Sequence, residues 1–482
     1  MKHNILFCIA VCIAAVSCQP HFDMVPPTTG PVVQQEFNEN WFVTKDGSGT
    51  KSGTDWNNAL PFADLLDRIS SPSANFSDAG IHIQEGVYLV GDKDKWLTLS
   101  TDIRCIRGGY SKTLTYDDLS KCDPDAYPTV FTGDVDGNGS AGEGDGAFAY
   151  VTNGTMCFEN ITFRNFYQGS VQDGELAGKG SAVFGINGES YLNTSVECNN
   201  CIFEGNVNGV SGTSGHEGGP CAFVSQGYFK ARNCVFKDNS GTSRGGAIRL
   251  SGKTGVVFLD RCFFTGNKLT GTTWGTTIQV SEGVICANNC TIVGNTGGGS
   301  ALNGGGAFFI SNCTIIDDSA PNGTNDAAFR CESKQDRNST IINNVFMNMN
   351  SEGYGLIMNS SNAALMSRGY NVIKSVKIAD GLSDPTAGED LVKDIVLTGK
   401  IEDNCWTWDI AQVEAELKGY ANADDIYDAA TAFDPSTYCG IAVLGRAYAN
   451  WVTPAAFAMD GRGEMRGEDS FQPGSYDPNL DE

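Results

Sequence analysis

The chain has 482 residues, enough for two or three ordinary domains or one long repetitive one, with 59 Gly, 17 Cys, 40% apolar and 18% charged residues. Its 57 acidic residues outnumber 32 basic ones for a formal net charge of −25. Nucleic acid is therefore a poor partner, because no basic excess is available to neutralise phosphates. Glycine stands well above the usual share of about 7%, without a collagen period and with too many β-branched and aromatic residues for disorder. Composition predicts a turn-rich, all-β fold.

In chain order, Ile5–Val16 is an apolar run too short to span a bilayer and reads as the core of a secretory signal peptide over residues 1–18. It ends in Ala15-Val16-Ser17-Cys18. This resembles the bacterial lipobox, with Cys18 the lipidated residue; ordinary cleavage, with Cys18 incidental, is the alternative. No second long apolar run follows, so the expected membrane contact is the lipid anchor alone, on a cell-envelope, outer-membrane lipoprotein whose side of the membrane is left open. Residues 19–38, with Pro20, Pro26, Pro27 and Pro31, read as an extended tether. Residues 39–80 are expected to form an N-terminal strand and a helical cap, since Ala59, Phe62, Leu65, Leu66 and Ile69 recur at helical spacing over 55–70.

From 81 to 384 one pattern repeats: Asn200-Cys201-Ile202-Phe203-Glu204-Gly205-Asn206, then close copies at Asn233–Asn239, Arg261–Asn267 and Asn289–Asn295, and weaker ones at Asn160, Asn312 and Asn344. Cys201, Cys234, Cys262, Cys290 and Cys313 are spaced by 33, 28, 28 and 23 residues, too irregular for a helical solenoid and suited to β-coils with variable turns. Each copy follows a Gly-led strand such as Gly245-Gly246-Ala247-Ile248-Arg249-Leu250 and a second alternating run such as Val256–Leu259. Three short strands per unit predict a right-handed parallel β-helix of about ten rungs. The aligned cysteines should form one inward ladder, and Phe203, Phe236, Phe264, Ile292 and Ile315 another. The Asn residues ending the copies should occupy corners and bond the adjacent coil's backbone. Residues 385–482 lose the motif and read as a C-terminal cap and tail, with a helical pattern over Asp409–Tyr420.

Inward ladder cysteines are expected to be reduced apolar fillers. Disulfide candidates lie outside the ladder, at Cys105 with Cys122 and Cys405 with Cys439. Cys198 and Cys201 form a CxxC, but residues three apart on a strand face opposite ways, which argues against zinc.

The GGAI at 245–248 and the FxxN at 203–206, 236–239 and 264–267 resemble the repeats of chlamydial polymorphic outer-membrane proteins, β-helical adhesins. The wider plan, from Trp41–Gly49 through Gly108-Gly109-Tyr110 to Pro473-Gly474-Ser475-Tyr476, resembles secreted right-handed β-helix lipoproteins of Bacteroides-type bacteria with the pectin-lyase-like fold. Tyr476 is followed by Asp477 where that family commonly has Glu. The resemblance implies the fold and leaves activity open, because this fold hosts lyases, hydrolases, adhesins and passive stalks.

Aligning the Gly-led strands places Arg249, Gln279, Phe309 and Arg330 at one outward position, with Glu217, Arg244 and Trp274 on the loops entering that face. Guanidinium can clamp a carboxylate and indole can stack on a sugar, so the face is expected to bind an acidic sugar chain; a solvated sheet with ordinary polar residues is the alternative. A hydrolase needs convergent acids, and Asp317-Asp318 has no aligned acidic partner; a lyase needs a base, for which Arg244, Arg249 and Arg330 are cast only by analogy with the fold. Asp134, Asp136, Asn138, Ser140 and Asp145 reproduce the oxygen spacing of a calcium loop, with Gly139 at its sixth position, while its flanks read as strands; no other cofactor is expected. The functional expectation is a face that binds a polysaccharide, or a glycan or protein of a host surface, without catalysis. A lyase or glycoside hydrolase on the same face and a ligand-free spacer are the alternatives, and oligomeric state is left open.

Overall fold

In the computed structural model the described residues are 37–73, 75–90, 96–114, 119–169, 180–188, 193–210, 218–242, 244–271, 275–317, 326–332, 339–348, 353–358, 365–378, 395–397, 401–402, 405–406 and 423–433. They form two compact units, one of described residues up to 257 with 266–272, the other of 258–265 with the described residues from 273 onward. Both are coiled as a right-handed parallel β-helix, the fold expected from the repeats.

In the first unit one parallel ladder joins Leu97–Leu99, Ala149–Val151, Phe184–Asn187 and the first half of Ala222–Arg232. A second runs through Glu39–Thr44, Phe76–Gln84, Ile103–Tyr110, Gly154–Glu159, Thr194–Asn199 and the second half of Ala222–Arg232. A third joins Gly86–Leu89, Thr129–Thr132, Ile161–Arg164, Ile202–Glu204 and Val235–Lys237. The second unit repeats the plan, with Phe263–Thr265, Thr291–Ile292, Thr314–Asp317, Val345–Asn348, Val372–Lys374 and Ile395–Leu397 as its third ladder. Five and six described strands in the two third ladders agree with about ten rungs.

A coil cannot bury its inward side chains alone, so like residues stack on like. Phe131, Phe163, Phe203 and Phe236 stand in register and are fully buried, and the Phe203 and Phe236 rings lie 4.7 Å apart at 3°. In the second unit Phe264, Ile292, Ile315, Phe346 and Ile373 take that place. Cys201, Cys234, Cys262, Cys290 and Cys313 are buried and form no disulfide, as expected of fillers.

The Asn residues ending the motif copies are buried and splice consecutive coils. Asn239 Nδ2 donates to Phe203 O at 3.0 Å and to Asn267 Oδ1 at 2.8 Å, while its Oδ1 accepts from Asn206 N at 3.0 Å. Left-handed backbone belongs instead to the residue that opens each copy, Asn160, Asn200, Asn233, Arg261, Asn289 and Asn312, and to Asn343 just before the copy at Asn344, all with φ between 52 and 59°. Asn adopts that conformation at least cost among side-chain-bearing residues.

Four expectations are corrected. The helical cap is the eight-residue helix Phe62–Ile69; Asp55 caps a 3-10 turn at Trp56–Asn58, and Leu60-Pro61 pairs with Val43-Thr44, so the helix starts only after Pro61. Its Phe62 ring sits 4.7 Å from Tyr88 and 5.1 Å from Phe131, closing the core. Cys198 and Cys201 do not face opposite ways: left-handed Asn200 lies between them, and both thiols are buried and hydrogen-bonded to each other. Cys105 and Cys122 are both free, because Cys122 Sγ turns to Gly108 O at 3.2 Å while Cys105 Sγ faces Glu159. Phe309 does not share a ladder with Gln279, as described below. Residues 1–36, Cys439, the Asp409–Tyr420 pattern and the tail lie outside the described residues; the described C-terminal helix is Ala423–Ala432, and Phe433 beyond it lies 5.5 Å from the Phe309 ring.

Candidate functional site

Four of the side chains expected to bind an acidic glycan are buried. Arg249, Gln279, Phe309 and Arg330 are 2%, 5%, 0% and 8% exposed, too little for a side chain meant to meet a polymer. In the second unit Gln279 pairs with Asn303 and Asn303 with Arg330, so Asn303 occupies the position expected for Phe309. Phe309 pairs with Cys286 and Thr340 in a neighbouring ladder. The Gly305-Gly306 pair that suggested the alignment opens a different strand from the one Gly245-Gly246 opens. Arg330 is held by Glu332 at 2.7 Å, and in the first unit the Arg249 guanidinium lies 5.3 Å from the Phe223 ring. Arg244 is half-buried, and Glu217 and Trp274 lie outside the described residues. Asp317 pairs with Asn348, whose Nδ2 donates to it at 3.0 Å, so the neighbouring coil supplies an amide in place of a second acid.

The first unit does present an open cleft of about 700 Å³. It lies where consecutive coils turn from the first ladder into the second, at residues 100–102, 153–155 and 193, with Asn75 and Ser77 at the head of strand Phe76–Gln84. Each of these corners must reverse the chain without apolar cover, which selects Ser, Thr, Asn, Asp and Gly. Stacking the corners lines up their polar groups. Asn75, Asp102, Asn153, Thr155 and Asn193 are exposed, and the lining carries amides and hydroxyls with one carboxylate and no Lys, Arg or aromatic ring. Asp102 Oδ1 accepts from Thr155 N at 2.7 Å, tying one corner to the next. Gly154 is at φ +84°, and a Cβ there would lie 2.4 Å from the Thr101 backbone. The Thr101 hydroxyl is buried in the wall with no partner. No motif marks this cleft in the sequence, since each corner taken alone reads as an ordinary turn.

The Asp134–Asp145 loop lies between strands Thr129–Thr132 and Ala149–Val151, as expected. Ligand oxygens of Asp134, Asp136 and Asp145 lie within 4.8 Å of one another. Gly139 takes φ +84°, and its N–H donates to Asp134 Oδ2 at 3.0 Å. Asp145 is buried, its two oxygens accepting from Val135 N and Gly142 N, both at 2.8 Å. Asp134 Oδ1 is buried without a hydrogen-bond partner. Asn138 and Ser140 are bonded to each other, with Ser140 Oγ donating to Asn138 Oδ1 at 2.7 Å. Three converging carboxylates repel one another, and a hard divalent cation relieves that repulsion.

No family model matches the chain, and no curated protein matches it. Among solved structures it is similar to the crystal structure of pectate lyase Pel9A, at 13% identity over 72% of this chain and 82% of that one, with a TM-score of 0.36. At that identity and score nothing about activity passes from that lyase to this chain.

Proposed function

We propose that the protein is a cell-envelope lipoprotein whose β-helix binds a glycan without cleaving it, in the polar cleft of the first unit. The observation that carries this reading is the lining: stacked amides and hydroxyls from successive corners offer paired donors and acceptors at the spacing of coils, about 4.8 Å, which suits a chain of sugar hydroxyls. The partner is a neutral polysaccharide or surface glycan, because the cleft holds one carboxylate and no cation to meet an acidic one. Envelope location and lipid attachment at Cys18 rest on residues 1–18 and their resemblance to a lipobox. Calcium in the Asp134–Asp145 loop is a structural ion in this reading, held by Asp134, Asp136 and Asp145. Two buried carboxylates elsewhere are engaged by protein groups, Glu159 by Arg107 at 2.7 Å and Asp317 by Asn348.

The test is native electrophoresis of the protein through gels carrying neutral and acidic polysaccharides, beside Asn153→Ala/Asn193→Ala and Arg249→Ala/Arg330→Ala variants. Retardation lost in the Asn pair and kept in the Arg pair is expected, with the polymer recovered at its original length. Retardation that survives the Asn pair overturns the cleft, and shortened polymer overturns the non-catalytic reading.

A further inference from the structure

Strands Ile103–Tyr110 and Gly154–Glu159 are in register at Ile106 with Phe158 and at Arg107 with Glu159. One residue earlier on each strand stand Cys105 and Cys157, where the register shifts between Ile103 and Ile106; the reach of Cys105 Sγ to Glu159 puts it on the same side as the Arg107–Glu159 ion pair. Cys105 Sγ hydrogen-bonds to Cys157 and also donates toward Glu159 Oε2 at 3.6 Å. Adjacent strands of a sheet lie about 4.8 Å apart, inside the Cα range of about 4.4–6.8 Å that a disulfide spans. The two thiols differ in access. Cys105 is 1% exposed, and its other strand neighbour is Gly80, over which the Phe37 ring lies. Cys157 is half-buried, and Asn199 Nδ2 donates to its sulfur at 3.7 Å.

We propose that Cys105 and Cys157 form a modification site, a thiol pair that closes into a disulfide linking two consecutive coils. The oxidant is a small disulfide or a disulfide-carrying oxidase. The Cys157 thiolate attacks the oxidant's S–S bond, forming a mixed disulfide and releasing one thiol. Cys105 passes its proton to Glu159 and attacks Cys157 Sγ; the mixed disulfide breaks and the second thiol leaves with that proton. Two cysteines lose two electrons, and the oxidant ends as two thiols. The order follows from access, and burial together with the hydrogen bond to Cys157 holds the Cys105 thiol protonated until then. The ladder thiols Cys201 and Cys234 are also neighbours, but both are inside the coil at 0% exposure, where no oxidant reaches.

The experiment treats the full reduced chain with oxidised glutathione, then unfolds it in an alkylating agent and maps its peptides. A Cys105–Cys157 cross-linked peptide is expected, with Cys201, Cys234, Cys262, Cys290 and Cys313 recovered alkylated. In Cys105→Ser, Cys157 should stop at the glutathione mixed disulfide, and in Cys157→Ser, Cys105 should be recovered alkylated. Recovery of both wild-type residues as alkylated thiols overturns the proposal, as does a wild-type Cys157 left with glutathione or linked to another cysteine. The wild-type map decides without either variant.

Discussion

His82 shows how one buried ring shapes the response to pH. It is fully buried, with Nδ1 2.9 Å from Tyr110 Oη and Nε2 2.9 Å from Asn40 Oδ1. An amide oxygen can only accept, so Nε2 carries the hydrogen and Nδ1 accepts from the Tyr110 hydroxyl; the ring is satisfied only when neutral. Burial, reinforced by the Arg107 charge, lowers its pKa from 6.5 to about 3. Below pH 6.5 the unfolded chain takes up a proton that the folded one refuses, so stability is full above 6.5 and falls as the pH drops towards 3. The slope for this one group is about 1.4 kcal/mol per pH unit. His82→Gln removes the titration, and its melting temperature should fall less steeply than wild type between pH 6.5 and 4. Parallel profiles would show that His82 does not carry the acid sensitivity.

At the scale of one coil, stability is a matter between neighbours, and register decides which neighbours meet. Phe236 is sealed against Phe203, so Phe236→Ala should cost about 3–5 kcal/mol, read as a lower denaturation midpoint. An unchanged midpoint would place Phe236 outside the core. Asn239→Asp is the sharper probe, because it keeps the shape and replaces the amide donor that serves Phe203 O and Asn267 Oδ1 with an acceptor. Phe203 O is left without the amide donor, at a cost of about 1–3 kcal/mol, while Asn267 Oδ1 keeps the residue 239 N–H at 3.2 Å; the loss should shrink as acid protonates the new carboxyl. The Asp134–Asp145 loop belongs to this scale too: millimolar calcium should raise the melting temperature, and Asp134→Asn/Asp136→Asn should abolish the rise. A rise retained by that variant would move calcium elsewhere. These ladders were legible in the sequence because Cys, Phe and Asn recur with the coil, and the calcium loop because its oxygens are local. The candidate site was not. Gly-Gly opens strands in two different ladders, so aligning on it put Phe309 where Asn303 stands. The cleft gave no signal, because the residues of stacked corners lie far apart in the chain, Asp102 and Thr155 by 53 positions, and are common turn formers.

For the molecule as a whole, charge sets which polymers approach. With 57 acidic residues against 32 basic ones, the surface repels polyanions before any contact forms. Three of the arginines add little against this, Arg249 and Arg330 because they are buried and Arg107 because it is buried in an ion pair with Glu159. Repulsion reaches about one Debye length, about 10 Å at 0.1 M salt and about 30 Å at 0.01 M. A cleft lined by amides, hydroxyls and a single carboxylate is indifferent to that field when its ligand is neutral. Retardation by a neutral polysaccharide should therefore be the same at 0.01 M and 0.15 M salt, while an acidic polymer should give none at low salt. If an acidic polymer retards the protein most strongly at low salt, attraction to a cationic patch governs binding, and the cleft is not where the polymer sits. If an acidic polymer binds only when calcium is added, the carboxylate loop is part of the interface and the ion bridges two anions.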